Sequence, residues 1–205
     1  MRRLSINTFL TVDGVMQAPG GPEEDPSGGF KHGGWSVKYW DELMGRFMDG
    51  YMGKPFDLLL GRKTYEIFAA HWPHSTDEPT ASQLNNATKY VASRTLTEVA
   101  WQNSRLLRGD VVERVAELKR EDGPEIQVHG SANLIQTLLK HELIDQFQLW
   151  TFPLVLGYGK RLFPEGTIPA GLKLLDSKTS STGVIIATFE PAGAIDYGSF
   201  ALDQP

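Results

Sequence analysis

Two short stretches carry the residue types and spacing of a phosphate site. In one, Glu125-Ile126-Gln127-Val128 reads as a strand with Ile126 and Val128 buried, and His129-Gly130-Ser131-Ala132 as a small-residue turn. Asn133 and an apolar-periodic helix follow, with Leu134, Ile135, Leu138 and Leu139 on one face. A strand that turns through Gly-Ser into a helix presents free backbone N–H groups and the positive end of the helix dipole. That combination holds a phosphate. In the other, Asp57-Leu58-Leu59-Leu60 runs into Gly61-Arg62-Lys63-Thr64 and a helical pattern through Tyr65, Phe68 and Ala69. Two such junctions, one with two cations, point to a ligand carrying more than one phosphate. Taken singly, each also reads as a plain connection, with a solvated Arg-Lys pair or with Ser131 as an ordinary N-cap.

Other reactive residue types give less. His32, His71, His74, His129 and His141 show no metal-ligand spacing, and the chain has no cysteine. No metal site, disulfide or thiol chemistry is therefore expected. Asp41 and Glu42 lie near a helix start, where a carboxylate favours the dipole whatever else it does. Thr151 ends a long strand, where a β-branched residue is at home for structural reasons alone.

These residues need a scaffold, and the chain spells one out. Residues 2–9 alternate as a first strand, and Asp13-Gly14 is a turn signal. Residues 18–34 are rich in Gly and Pro, a length that suits a functional flap. Trp35 to Met52 is read as helical, with Tyr39, Leu43, Phe47 and Tyr51 four apart as core contacts. Asp57–Leu60 is the apolar run of a strand covered on both faces. A helical turn is expected over 81–88, strands at Lys89–Ala92 and 104–107, and a helix opened by the Asp110/Glu113 capping box. The strand at 125–128 and a helix over 131–141 come next, then a strand at 144–152 and a glycine-bearing loop from Pro153 to Pro164. Strands near 172–179 and 184–190 meet at Ser181-Thr182-Gly183 as a hairpin. The order predicts an α/β fold with a mostly parallel, helix-covered sheet and an antiparallel C-terminal hairpin. One domain over 1–191 and a tail over 192–205 are expected.

In order and at matching spacing, these motifs resemble the dihydrofolate reductase-like superfamily. Within it the chain is similar to the reductase domain at the C-terminal end of bifunctional riboflavin-biosynthesis proteins. The likeness rests on Thr11-Val12-Asp13-Gly14-Val15-Met16, Leu60-Gly61-Arg62-Lys63-Thr64-Tyr65-Glu66, Val91-Ala92-Ser93-Arg94, Val128-His129-Gly130-Ser131-Ala132, and Pro153 to Gly159 with Leu162-Phe163-Pro164. It implies a three-layer α/β/α fold and an NADPH-dependent reductase of a small heterocyclic substrate, such as 5-amino-6-(5-phosphoribosylamino)uracil. Gly61, Arg62, Lys63 and Thr64 would hold phosphates. Ser93, Arg94 and Thr95 would flank the 2′-phosphate of NADPH. Gly130, Ser131, Ala132 and Asn133 would cradle the pyrophosphate, with His129 and Leu134 beside it. Phe9 and Met16 would sit near the nicotinamide, Asp41 would grip the substrate ring and serve as the catalytic acid, Thr151 would lie in the substrate groove, and the 18–34 segment would close over both ligands. Two other readings stay open: a dihydrofolate or pteridine reductase, and a nucleotide-binding module without turnover.

The chain has 205 residues and a net charge of −5, which argues against a general nucleic-acid binder. The N-terminus alternates like a strand, so no signal peptide is expected, and no apolar run reaches membrane-span length. A cytoplasmic protein is expected. Apolar groups near the edge formed by 144–152 and the following loop, together with the resemblance, lead to the expectation of a homodimer.

Overall fold

The computed structural model describes residues 1–200, and the end of the expected tail, 201–205, lies outside them. Eight strands form one sheet in the order β4-β3-β2-β5-β1-β6-β8-β7. They are β1 Leu4–Thr11, β2 Phe56–Gly61, β3 Lys89–Ala92, β4 Ser104–Leu107, β5 Glu125–Val128, β6 Gln146–Phe152, β7 Leu172–Thr179 and β8 Ile185–Pro191. All pairings from β4 to β6 are parallel; β8 runs antiparallel to β6, and β7 antiparallel to β8. This is the expected parallel sheet with its antiparallel hairpin.

Five helices cover the sheet: α1 Glu42–Met52, α2 Arg62–His71, α3 Thr80–Asn86, α4 Val111–Arg120 and α5 Ala132–Lys140. On one face Val115 and Leu118 of α4 and Leu134, Ile135 and Leu138 of α5 pack on Ile6, Ile126, Val128 and Phe147. On the other face Met52 of α1, Tyr65 of α2 and Leu84 of α3 pack on Leu58, Leu60 and Val91, and Met44 of α1 packs with Trp150 and Phe152. Three layers result because the central strands bury apolar side chains on both faces. No helix among the described residues is long and apolar enough to cross a membrane.

The helix expected from Trp35 starts seven residues later. Val37–Tyr39 is one 3-10 turn, Trp40 is extended, and Asp41 is the N-cap of α1. Its Oδ1 accepts from Met44 N at 2.9 Å. Its Oδ2 accepts from the Ser181 amide and hydroxyl, each at 2.7 Å. These donors, Met44 N–H foremost, hold the carboxyl below the usual carboxylate range. Asp41 thus pins α1 to the β7–β8 turn; its carboxylate, the expected acid and substrate ligand, is engaged by these three donors. Asp41→Ala removes the cap of α1 and its tie to Ser181, and is expected to lower the midpoint of urea unfolding without changing its slope.

The glycine-rich segment also departs from expectation. Gln17 Nε2 donates to the carbonyls of Asp25 and Ser27, both at 2.9 Å. Lys160 N donates to Gln17 Oε1 at 3.0 Å, and Lys160 Nζ reaches Asp25 Oδ2 at 2.5 Å. Trp35 Nε1 donates back to Gln17 O at 2.8 Å. The segment is a wall stapled to the loop after β6, not a free flap.

Candidate functional site

The chain steps from β2 outward to β3 and β4, returns to β5 between β2 and β1, and then crosses to β6 on the far side of β1. Ligands of open parallel sheets lie beyond the strand C-termini where the winding reverses. A groove of about 2210 Å³ opens at that place. The ends of β1, β2, β3 and β5, the starts of α2 and α5, and the Pro19–Asp25 stretch line it.

Both expected phosphate junctions face this groove, and a single hydroxyl joins them. Gly61 N donates to Ser131 Oγ at 2.9 Å, and Ser131 Oγ donates to Thr64 Oγ1 at 2.7 Å. Gly130 has φ +88° and Ser131 lies in the left-handed region at φ 71°, ψ 61°. That turn aims the Ser131 side chain at β2 instead of at its own helix. No side chain caps α5, and none caps α2 at Gly61. The expected N-cap role of Ser131 is therefore corrected: its hydroxyl bridges the junctions and leaves two sets of helix-start N–H groups bare. A Cβ on Gly61 would stand 3.0 Å from Ser131 Oγ, so this contact needs the missing side chain.

The charged groups follow. Arg62 reaches Glu66 at 3.4 Å from a largely exposed position. Lys63 lines the groove without an ion-pair partner among the described residues. At the end of β3, Ser93 Oγ accepts from Thr95 N at 3.2 Å and Leu96 N at 3.0 Å, which orders the turn that presents Arg94 to the groove.

Phe9, Met16, Ala132, Asn133 and Leu134 also line the groove, as expected. Asp41 and Thr151 do not; Thr151 stands in register with Leu10 and Ile185 within the sheet. His129 lines it from the other direction. Its ring lies 6.3 Å from Tyr51 of α1, and its Nε2 is 2.9 Å from Gln127 Oε1. Burial lowers its pKa to about 4, so the ring is neutral near pH 7. Asn7 and Trp40 line the groove too and went unremarked in the sequence. The signal for Asn7 was available: it is a polar residue in the apolar-alternating first strand.

The geometry can be set beside known proteins. The model of the RibD C-terminal domain matches residues 2–186. The uncharacterized protein YyaP of Bacillus subtilis (strain 168) is 30% identical over 188 residues, covering 90% of this chain and 92% of the relative. YwjB of the same organism is 29% identical over 146 residues, 70% of this chain and 80% of the relative. Among solved structures, a putative riboflavin biosynthesis protein from Shewanella sp. PV-4 superposes with TM-score 0.65 at 21% identity, over 93% of this chain and 99% of that one. The Thermotoga maritima diaminohydroxyphosphoribosylaminopyrimidine deaminase/5-amino-6-(5-phosphoribosylamino)uracil reductase superposes with TM-score 0.62 at 14% identity. That match covers 93% of this chain and 57% of the bifunctional one. At these identities the structures speak for the fold. With the family model spanning nearly all of it, the chain belongs to the RibD C-terminal domain family, a family of reductase type.

Proposed function

We propose that this chain is a cytoplasmic NADPH-dependent reductase of a small heterocyclic substrate. The observation that carries the reading is the pair of uncapped helix starts held side by side by Ser131. Bare N–H groups fit a pyrophosphate. Gly61 to Thr64 and Gly130 to Asn133 would hold it. Arg62, Lys63 and Arg94, with Ser93 and Thr95, would meet the 2′-phosphate, because fixed guanidinium and ammonium charges add to backbone donors. Phe9, Met16 and Leu134 would flank the nicotinamide. The bound cofactor supplies hydride from C4 of its reduced ring. The protein orients the partners and excludes water through the stapled wall of residues 17–36. Asp41 is out of place as a proton source, so the proton comes from solvent in this reading. A 5-amino-6-(5-phosphoribosylamino)uracil-type substrate is the one for which the Thermotoga relative is named, and it is a candidate for this chain.

NADPH at saturating concentration is expected to raise the melting temperature, as ligands that bind only the native state do. The double substitution Arg62→Ala/Lys63→Ala is expected to weaken NADPH at least about tenfold, near 1.4 kcal/mol, and NADH by less than about threefold. Equal losses would place both cations on the shared pyrophosphate, and no NADPH-induced shift in the parent would remove the reading.

We also propose that a second copy of this chain covers the sheet edge, which is β7 and not the 144–152 strand expected there, since β6 is paired on both sides by β1 and β8. All eight residues of β7 are exposed, among them Leu172, Leu174 and Leu175. An apolar edge strand with free N–H and C=O groups invites pairing. The charges of β7 are engaged within the chain, Lys173 by Glu190 at 2.9 Å and Lys178 by Asp176 at 2.5 Å, so the leucines carry the two-fold pairing. Light scattering is expected to give a dimer, and Leu174→Glu a monomer with NADPH affinity unchanged.

A further inference from the structure

Beyond the phosphate end, the strands present an unusual row toward α1. Asn7 of β1 is level with Gln148 of β6, and stands one residue past the Ile6–Val128 pair, beside His129. Ile6, Val128 and Phe147 belong to the opposite core, so alternation sends Asn7, His129 and Gln148 to the α1 face. Asn7 and Gln148 are each 3% exposed. Polar groups buried there are unfavourable unless they are hydrogen-bonded.

The protein bonds one end of Asn7 and His129 and leaves the other. Trp150 Nε1 donates to Asn7 Oδ1 at 2.9 Å. An indole nitrogen only donates, so the amide orientation is fixed and Nδ2 is the open end. With the Gln127 amide placed Oε1 toward the ring, His129 Nε2 carries the proton and Nδ1 is an acceptor. Gln148 Nε2, beside Asn7, is buried without a partner among the described residues. Asn7 and His129 both line the groove. Aromatic walls stand next to them: Phe9 and Trp40 lie 6.2 Å apart, and Trp40 is stacked on Trp150 at 6.0 Å.

Charge narrows the occupant. The cations that reach the groove from the loop after β6 are already engaged, Lys160 by Asp25 at 2.5 Å and Arg161 by Asp13 at 3.4 Å. Arg62 and Lys63 follow β2 and Arg94 follows β3, two and three strands away from β1, roughly 10 and 14 Å at ordinary strand spacing. Among the described lining residues, no unengaged Lys or Arg comes from β1, α1 or the loop after β6, so a phosphate at the α1 end has no cation of its own to meet.

We infer that the α1 end of the groove takes a planar, unphosphorylated heterocycle with a carbonyl beside a ring N–H, and that Asn7 and His129 determine this specificity. Asn7 Nδ2 donates to the carbonyl, and the ring N–H donates to His129 Nδ1. Phe9 and Trp40 stack on the ring. The inference rests on the reductase reading and narrows its substrate to one without the phosphate of the Thermotoga relative's named substrate.

The test is calorimetric titration of the intact chain, saturated with NADP⁺, against two probe pairs: lumazine with 1,3-dimethyllumazine, and uridine with uridine 5′-monophosphate. Lumazine is expected to bind at least about tenfold more tightly than its dimethyl derivative, the loss of one buried hydrogen bond. Uridine is expected to bind more tightly than its monophosphate. Asn7→Asp keeps the acceptor for Trp150 and removes the donor; it is expected to weaken lumazine about tenfold while the NADPH-induced melting shift stays. His129→Phe is expected to abolish discrimination within the lumazine pair. Equal or tighter binding of the monophosphate, undiminished lumazine affinity in Asn7→Asp, undiminished discrimination in His129→Phe, or no probe binding at millimolar concentration would each overturn the inference. Loss of the NADPH shift in the parent chain would instead remove the reductase reading itself.

Discussion

The Ser131 hydroxyl is the contact on which the site depends. It accepts from Gly61 N and donates to Thr64 Oγ1, so it fixes the start of α2 against the start of α5. A serine that capped its own helix would have left the two junctions separate and one of them closed. Two backbone features make the bridge possible. Ser131 adopts a left-handed conformation that a non-glycine residue reaches only at some strain, and Gly61 has no side chain to keep the hydroxyl away. Strain of this kind at a ligand-facing turn is kept where the turn has a task.

A second constraint closes the groove from the other side. Asp13 accepts from Thr11 Oγ1 at 2.5 Å, from Leu156 N at 3.2 Å and from Gly157 N at 2.8 Å, and pairs with Arg161. Burial alone would raise its pKa; these donors outweigh it and bring the value to about 2. The carboxylate therefore stays charged across the physiological range and binds the turn after β1 to the loop after β6. Gln17, Asp25 and Lys160 continue the same seam. The glycine-rich segment can be long without being loose, because its polar groups are answered from the loop after β6, the strand beside β1.

Much of this was legible in the chain, for definite reasons. Leu58-Leu59-Leu60 and Val128 mark buried parallel strands, since only a strand covered twice is apolar at consecutive positions. The Gly-rich junctions after them marked the groove, because helix starts and strand ends are local features. What stayed hidden depends on contacts distant in sequence. The role of Asp41 is set by Ser181, 140 residues away, and that of Ser131 by Gly61, 70 residues away. Trp35 to Tyr39 kept a helical rhythm but was drawn into ring contacts with Phe152, at 5.2 Å for Trp35 and 5.8 Å for Tyr39. Asn7 looked like the polar half of an alternating strand; only the strands on either side of it show that this half is covered.

The two ends of the groove are built from different materials, and this bears on what membership of the family can teach. The phosphate end presents backbone N–H groups, which most sequences can supply provided the turn geometry survives. Such an end can persist while side chains drift, in keeping with a fold retained at 14–21% identity. The α1 end presents an amide and an imidazole whose orientations are set by Trp150 and Gln127. One substitution there exchanges a donor for an acceptor or removes it. Relatives can therefore share the first end and differ at the second, so that likeness of fold does not carry over what the side chains of β1, β5 and β6 recognise.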